Sequence, residues 1–293
     1  MKKIFLISGT VVLLTLLVTM SACTGAPSAG TAKKPVLLVV SFGTSFNDSR
    51  EKTIGAIEKA LADAYPGYEQ RRAFTSQIII DKLRERDGIR IDNVEEAMER
   101  LVSDGVRELL VQPTHVMSGE EYDSVISEVK PFEKNFARVS YGQPLLITDA
   151  DYDELIDAIT AETAGYAGDH TAVVFMGHGT EHTANATYAK LYQRLQGRGI
   201  SGYYIGTVEA SPTLEDVIDE MGKTGGVTKV VLSPLMIVAG DHANNDMAGD
   251  EPDSWKTILE AQGYEVVPVL KGLGEYPGIQ KIFVRHAGEA MAL

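Results

Sequence analysis

Three short segments recur in the same order along this chain, and that recurrence narrows its possible folds more than any other feature. VVSFGT (Val39–Thr44) matches FMGHGT (Phe175–Thr180) at an offset of 136. AFTS (Ala73–Ser76) matches VEAS (Val208–Ser211) at 135, and Gln112–Glu121 matches Ser233–His242 at 121. Each segment closes an apolar, β-rich run. One such match carries little weight, but three in order point to an internal duplication of one supersecondary unit.

The runs themselves give the architecture. Strand patterns cover Val36–Ser41, Tyr68–Phe74, Val106–Gln112, Val139–Ile147, Ala172–Met176, Tyr203–Val208, Val230–Leu232 and Val266–Leu270. Helical periodicity fills the intervals, as in Glu51–Tyr65, Gln77–Arg86, Val94–Ser103, Tyr152–Glu162, Thr213–Met221 and Ile279–Met291. Unbroken apolar strands such as VLLVV and AVVFM belong in parallel sheets covered by helices on both faces. The expected fold is therefore α/β, with two duplicated doubly wound parallel-sheet halves, residues 35–148 and 149–293, facing a central cleft.

The N-terminus sets a compartment. Lys2 and Lys3 precede an apolar run from Ile4 to Met20, and Ser21 and Ala22 precede Cys23, the only cysteine. This order reads as a bacterial export signal over residues 1–22. Small residues before a lone cysteine resemble a lipobox, which would lipidate Cys23 and anchor an exported, periplasmic or cell-envelope protein to its membrane. An uncleaved anchor is the alternative, although the run is short for a bilayer. Residues 24–34 lack periodicity and read as a flexible tether. A single cysteine excludes an intramolecular disulfide. Without Lys2 and Lys3 the basic count falls from 27 to 25 against 41 acidic residues, a net charge near −16 that argues against nucleic-acid binding.

In doubly wound sheets the loops at strand C-termini carry the chemistry. The duplication aligns Phe42, Phe74 and Glu121 in the first half with His178, Glu209 and His242 in the second. Two imidazoles and a carboxylate suit a borderline divalent ion such as Co²⁺, Fe²⁺, Ni²⁺ or Zn²⁺. Separations of 31 and 33 residues match successive βα units, so the three can converge at one sheet edge. Glu209 has an alternative role as a helix cap. His182 reads as a solvated first-turn residue, His170 and His286 as surface residues, and His115 as a further cleft residue or axial ligand. Gly222-Lys223-Thr224 has Val217 where a phosphate-binding loop needs glycine, so no ATP site is expected.

The stretches SFGTSFNDSREKTIGAIE, QPTHVMSGEEYD, MGHGTEHTAN, TVEASP and SPLMIVAGDHANNDMAGDEPDSW resemble the anaerobic sirohydrochlorin cobaltochelatase family, from Pro35 to the C-terminus. These are ATP-independent chelatases of cobalamin biosynthesis with a ferrochelatase-like fold. The resemblance implies Co²⁺ as substrate ion, held by His178, Glu209 and His242, and a tetrapyrrole, sirohydrochlorin, in the cleft. Phe42, Thr44, Phe74 and His115 are the expected cleft residues, with Arg50, Arg71 and Arg72 as candidate partners for the substrate's carboxylates. An export signal departs from a cytoplasmic pathway, which leaves an exported tetrapyrrole, haem or metal carrier without turnover as the rival reading. Bound haem and a homo-oligomer are compatible with either.

Overall fold

The computed structural model describes Met1 and residues 33–292; the expected export signal, Cys23 and the tether up to residue 32 lie outside the described residues. From Lys33 onward the chain is one compact unit. Among the described residues, eight strands form two four-stranded parallel sheets. The first holds β1 (Val36–Ser41), β2 (Glu69–Phe74), β3 (Glu108–Pro113) and β4 (Arg138–Tyr141), in the order β2-β1-β3-β4. The second holds β5 (Thr171–Gly177), β6 (Tyr203–Thr207), β7 (Lys229–Pro234) and β8 (Glu265–Pro268), in the order β6-β5-β7-β8. The identical order is the duplication seen as topology, with the switch point between the first and third strands of each half.

Period-two geometry explains the unbroken apolar runs. In β1, Val36, Leu38 and Val40 face an outer core, whereas Leu37 and Val39 face a core shared by both sheets. In β5, Ala172, Val174 and Met176 face a second outer core, and Val173 and Phe175 enter the same shared one. Each strand is thus buried on both faces. The shared layer is filled by α2 (Ile54–Ala64), α6 (Asp149–Thr163), α7 (Ala186–Gly197) and α10 (Pro277–Ala292). The outer layers are α4 (Val94–Ser103) and α5 (Glu120–Val129) on the first sheet, and α8 (Leu214–Thr224) and α9 (Trp255–Ala261) on the second.

Two expected elements change. The helix expected over Glu51–Tyr65 breaks at Thr53 into α1 (Asn47–Lys52) and α2. The strand expected over Val139–Ile147 ends at Tyr141, because Gly142 and Pro144 lead the chain into a turn. That turn delivers Thr148, whose hydroxyl accepts from Asp151 N to cap α6, while Asp151 accepts from Thr148 N. His286 is expected on the surface but is 2% exposed. It lies on the inner face of α10, with Nε2 3.0 Å from Asp151 Oδ1, and Arg285 donates to the same carboxylate at 2.6 Å. This buried cluster ties the start of α6 to α10.

Candidate metal-handling site

The site forms at the C-terminal edge of the second sheet. His178 directly follows β5. The ladder continues past the strands, with Val208 N donating to Gly177 O at 3.0 Å and Glu209 N to His178 O at 2.9 Å. This places the Glu209 backbone beside His178. The loop after β6 is held in place by Thr207 Oγ1, which donates to Ala210 O at 2.6 Å, and by Asn185 Nδ2, which donates to Ser211 O at 2.7 Å. Gly179 has φ +86°, and a Cβ there would come within 2.7 Å of Ala210 N. Glycine is therefore needed for the two loops to approach so closely. His242 stands beyond β7, immediately before a wide π-type turn, Ala243–Met247.

These three elements bring one ligand atom each of His178, Glu209 and His242 within 4.8 Å of one another. The imidazoles meet edge to face, with centroids 4.7 Å apart and planes at 87°. His178 Nδ1 donates to Gly179 O at 2.8 Å, and His242 Nδ1 donates to Asp246 Oδ2 at 2.6 Å. In the neutral rings both Nε2 atoms then carry the free lone pair. His178 Nδ1 is 3.6 Å from Glu209 Oε2, too far for a hydrogen bond, so the carboxylate is not committed to the imidazole. All three side chains are solvent-accessible, at 48% for His178, 54% for Glu209 and 32% for His242. Ligands of a single ion at about 2.1 Å lie roughly 3–4 Å apart, so loading would require only a small contraction.

Loops of the first half face this edge. A Cβ on Gly240 would lie 3.4 Å from Thr44 Oγ1, and one on Gly119 would lie 3.7 Å from the Ala184 side chain. The β1 loop therefore meets the β7 loop, and the β3 loop meets the β5 loop. His182 Nε2 stands 3.9 Å from Asp123 Oδ2 across the second junction.

The family model described as cobalt chelatase (CbiK) matches residues 35–292. The chain belongs to the CbiK cobalt chelatase family. It is 43% identical over 258 residues to a sirohydrochlorin cobaltochelatase of Salmonella typhimurium, covering 88% of this chain and 97% of that one. It is 34% identical over 261 residues to sirohydrochlorin cobaltochelatase CbiKC of Nitratidesulfovibrio vulgaris, covering 88% and 91%. In fold it is similar to SirB from Bacillus subtilis, determined with Fe³⁺, at TM-score 0.60 and 15% identity over 89% of this chain and 96% of that one.

In this cobalt chelatase several sequence-expected residues fall elsewhere. Phe74 is 0% exposed and packs with Ile54, Ile80 and Leu83, so it cannot wall the cleft. The reason is register. Ser41 pairs with Phe74 as Gly177 pairs with Thr207, and Ser76 N donates to Phe42 O as Glu209 N donates to His178 O. The structural counterpart of Glu209 is Ser76, which caps α3 (Gln77–Asp87). In the second half the cap is delayed to Thr213, and the longer loop carries Glu209. Gly43, at φ +99°, lies over the Phe74 ring, where a Cβ would come within 2.6 Å.

Phe42 is 47% exposed and stays at the edge. It is joined by Ile78, 79% exposed in the first turn of α3, which apolar periodicity alone does not single out. Thr44 is 3% exposed, and its Oγ1 accepts from Phe46 N at 3.2 Å, so it shapes the loop. The arginines are already engaged. Arg71 pairs with Glu69 and Asp104, Arg72 pairs with Glu58, and Arg50 is 6% exposed and donates to Asn47 Oδ1. His182 caps the short turn Thr183–Asn185 instead of starting a helix. His115 has both ring nitrogens buried without a hydrogen-bond partner, and burial pushes its pKa down to about 4.

Proposed function

We propose that this chain is an exported, lipid-anchored sirohydrochlorin cobaltochelatase that inserts Co²⁺ without ATP, with the ion held by His178, Glu209 and His242. The observation carrying this reading is the convergence of those three donors within 4.8 Å at the edge of one sheet, in a chain of the cobalt chelatase family. Two neutral imidazoles and one carboxylate hold a divalent ion while leaving coordination positions for water and the ring nitrogens. The same donors accept Fe²⁺, Ni²⁺ and Zn²⁺.

The macrocycle lies against Phe42 and Ile78, two exposed apolar residues of the facing half. Insertion exchanges protein ligands for ring nitrogens. The Co²⁺–nitrogen bonds form as two pyrrole N–H bonds break, and two protons leave. His178, once it no longer ligates the ion, accepts one of them at Nε2. The second proton passes to solvent, and the charge balances because one Co²⁺ enters as two protons leave.

The N-terminal sequence supports a second reading, an exported carrier that binds tetrapyrrole or metal without turnover. One experiment separates the two. Purified protein is incubated anaerobically with excess sirohydrochlorin and Co²⁺ or Fe²⁺, and the absorption shift on metallation is followed. Many equivalents of metallated product per chain support the enzyme. A shift that stops at one equivalent supports the carrier, and no conversion with either ion contradicts the chelatase reading. Mass spectrometry of the mature N-terminus tests the anchor, which requires a lipid-modified Cys23 as first residue.

A further inference from the structure

We infer that Asp246 is a positioning residue for the substrate ion, acting through His242 by fixing its ring so that Nε2 faces the ion. The inference rests on the reading of His178, Glu209 and His242 as ion ligands, and extends it to a residue outside that set.

The Asp246 carboxylate accepts from His242 Nδ1 at 2.6 Å, a short charge-assisted bond. A carboxylate is acceptor-only, so the Nδ1 proton is fixed and the lone pair is confined to Nε2. A ring backed by a carboxylate is also a stronger donor to a metal, as in carboxylate–histidine–metal arrangements generally. His178 differs, since its Nδ1 is held by the neutral Gly179 carbonyl. Asp246 makes no ion pair with any lysine or arginine among the described residues; its side-chain partner is His242. Its side chain is 44% exposed.

The duplication supplies a control within the molecule. At the offset of 121 that aligns His242 with Glu121, Asp246 aligns with Val125, which is 0% exposed in the core of the first half. The carboxylate is therefore present only in the half that presents an imidazole at this loop. The chain from His242 to Asp246 also runs into the π-type turn Ala243–Met247, a local departure from α-geometry of the kind found at functional sites.

The test uses the full-length protein and Co²⁺ alone as probe, titrated anaerobically by the visible d–d absorption of bound Co²⁺. Asp246→Ala is expected to weaken Co²⁺ binding about 10–100-fold. Asp246→Asn should weaken it less, because its amide oxygen still accepts from Nδ1 without the charge. In steady-state turnover KM for Co²⁺ rises while KM for the tetrapyrrole stays within about twofold. In a His242→Ala background, Asp246→Ala should cause no further loss, since the residue acts only through that imidazole. Thermal melts confirm that the variants fold, and Asp246→Asn serves if Asp246→Ala does not. A Co²⁺ affinity unchanged in a folded Asp246 variant overturns the inference, as does an undiminished loss in the His242→Ala background. Co²⁺ affinity insensitive to both His178→Ala and His242→Ala would overturn the ligand reading beneath it as well; sensitivity there with an inert Asp246 overturns the inference alone.

Discussion

The two halves share strand order, parallel register and a glycine of positive φ after the first strand, Gly43 in one and Gly179 in the other. They diverge where those strands end. The first half places Phe42, Ser76 and Glu121 at its three loop positions, and the second places His178, Glu209 and His242. His115 stands where the second half has Met236, and Val125 where it has Asp246. The exchanges at Phe42/His178, Ser76/Glu209 and Glu121/His242 lie past the last ladder residue, where side chains need not pack between sheet and helix, whereas Val125 stays in the first half's core. Duplication thus leaves the two edges with different chemistry. One gathers three side chains that could hold an ion, and the other offers exposed apolar surface in Phe42 and Ile78.

The sharpest way to break this comparison is to remove a ligand. His178→Ala or His242→Ala should lower metal insertion by more than about 100-fold, beyond the loss typical of an outer partner. Steady-state rates with Co²⁺ check this, and a loss below tenfold would mean that the site lies elsewhere.

Next in size is the buried cluster that ties the start of α6 to α10. Burial raises the Asp151 pKa, but hydrogen bonds from Arg285, from Thr148 N and Ile147 N and from His286 outweigh it and hold the carboxyl below the usual range. A depressed carboxylate contributes stability that is present above the unfolded value near 3.9 and fades as pH falls through the folded one. Asp151→Ala should cost about 3–5 kcal/mol, read by denaturant melts at neutral pH, because it leaves buried partners uncompensated. A loss under about 1 kcal/mol would show that α6 and α10 dock without it.

Smaller still is the effect of His115. Its folded pKa of about 4 lies below the unfolded 6.5. Between these values the unfolded chain binds a proton that the native chain does not, so stability falls as pH drops from about 6.5 to 4. His115→Met, which restores the residue of the other half, should flatten that part of the Tm–pH curve. An unchanged slope would contradict the burial of its ring nitrogens. Smallest is Phe42→Ala, expected to raise KM for the tetrapyrrole roughly fivefold, for about 1 kcal/mol of lost aromatic contact, with kcat nearly unchanged.

Much of this was legible in the sequence, for identifiable reasons. The offsets of 136 and 121 hold in the structure, so Phe42 with His178 and Glu121 with His242 could be paired from letters alone. The third pairing failed because the second half delays its helix cap from the position of Ser76 to Thr213, and local similarity slid across that insertion. Phe74 was misplaced in consequence. His286 looked like a surface residue because its partner Asp151 lies 135 positions away, beyond any periodicity window. Asp246 is signalled in the sequence only by its place four residues after a histidine, the spacing of neighbours on a helical turn.

The central claim, that the ion is held by one half alone, is tested most directly by anomalous diffraction at the cobalt edge from crystals soaked in Co²⁺. The expected result is one peak within bonding distance of His178, Glu209 and His242, with no ligand from the first half. A peak coordinated by Glu121 or His115, or one remote from all three residues, would contradict it.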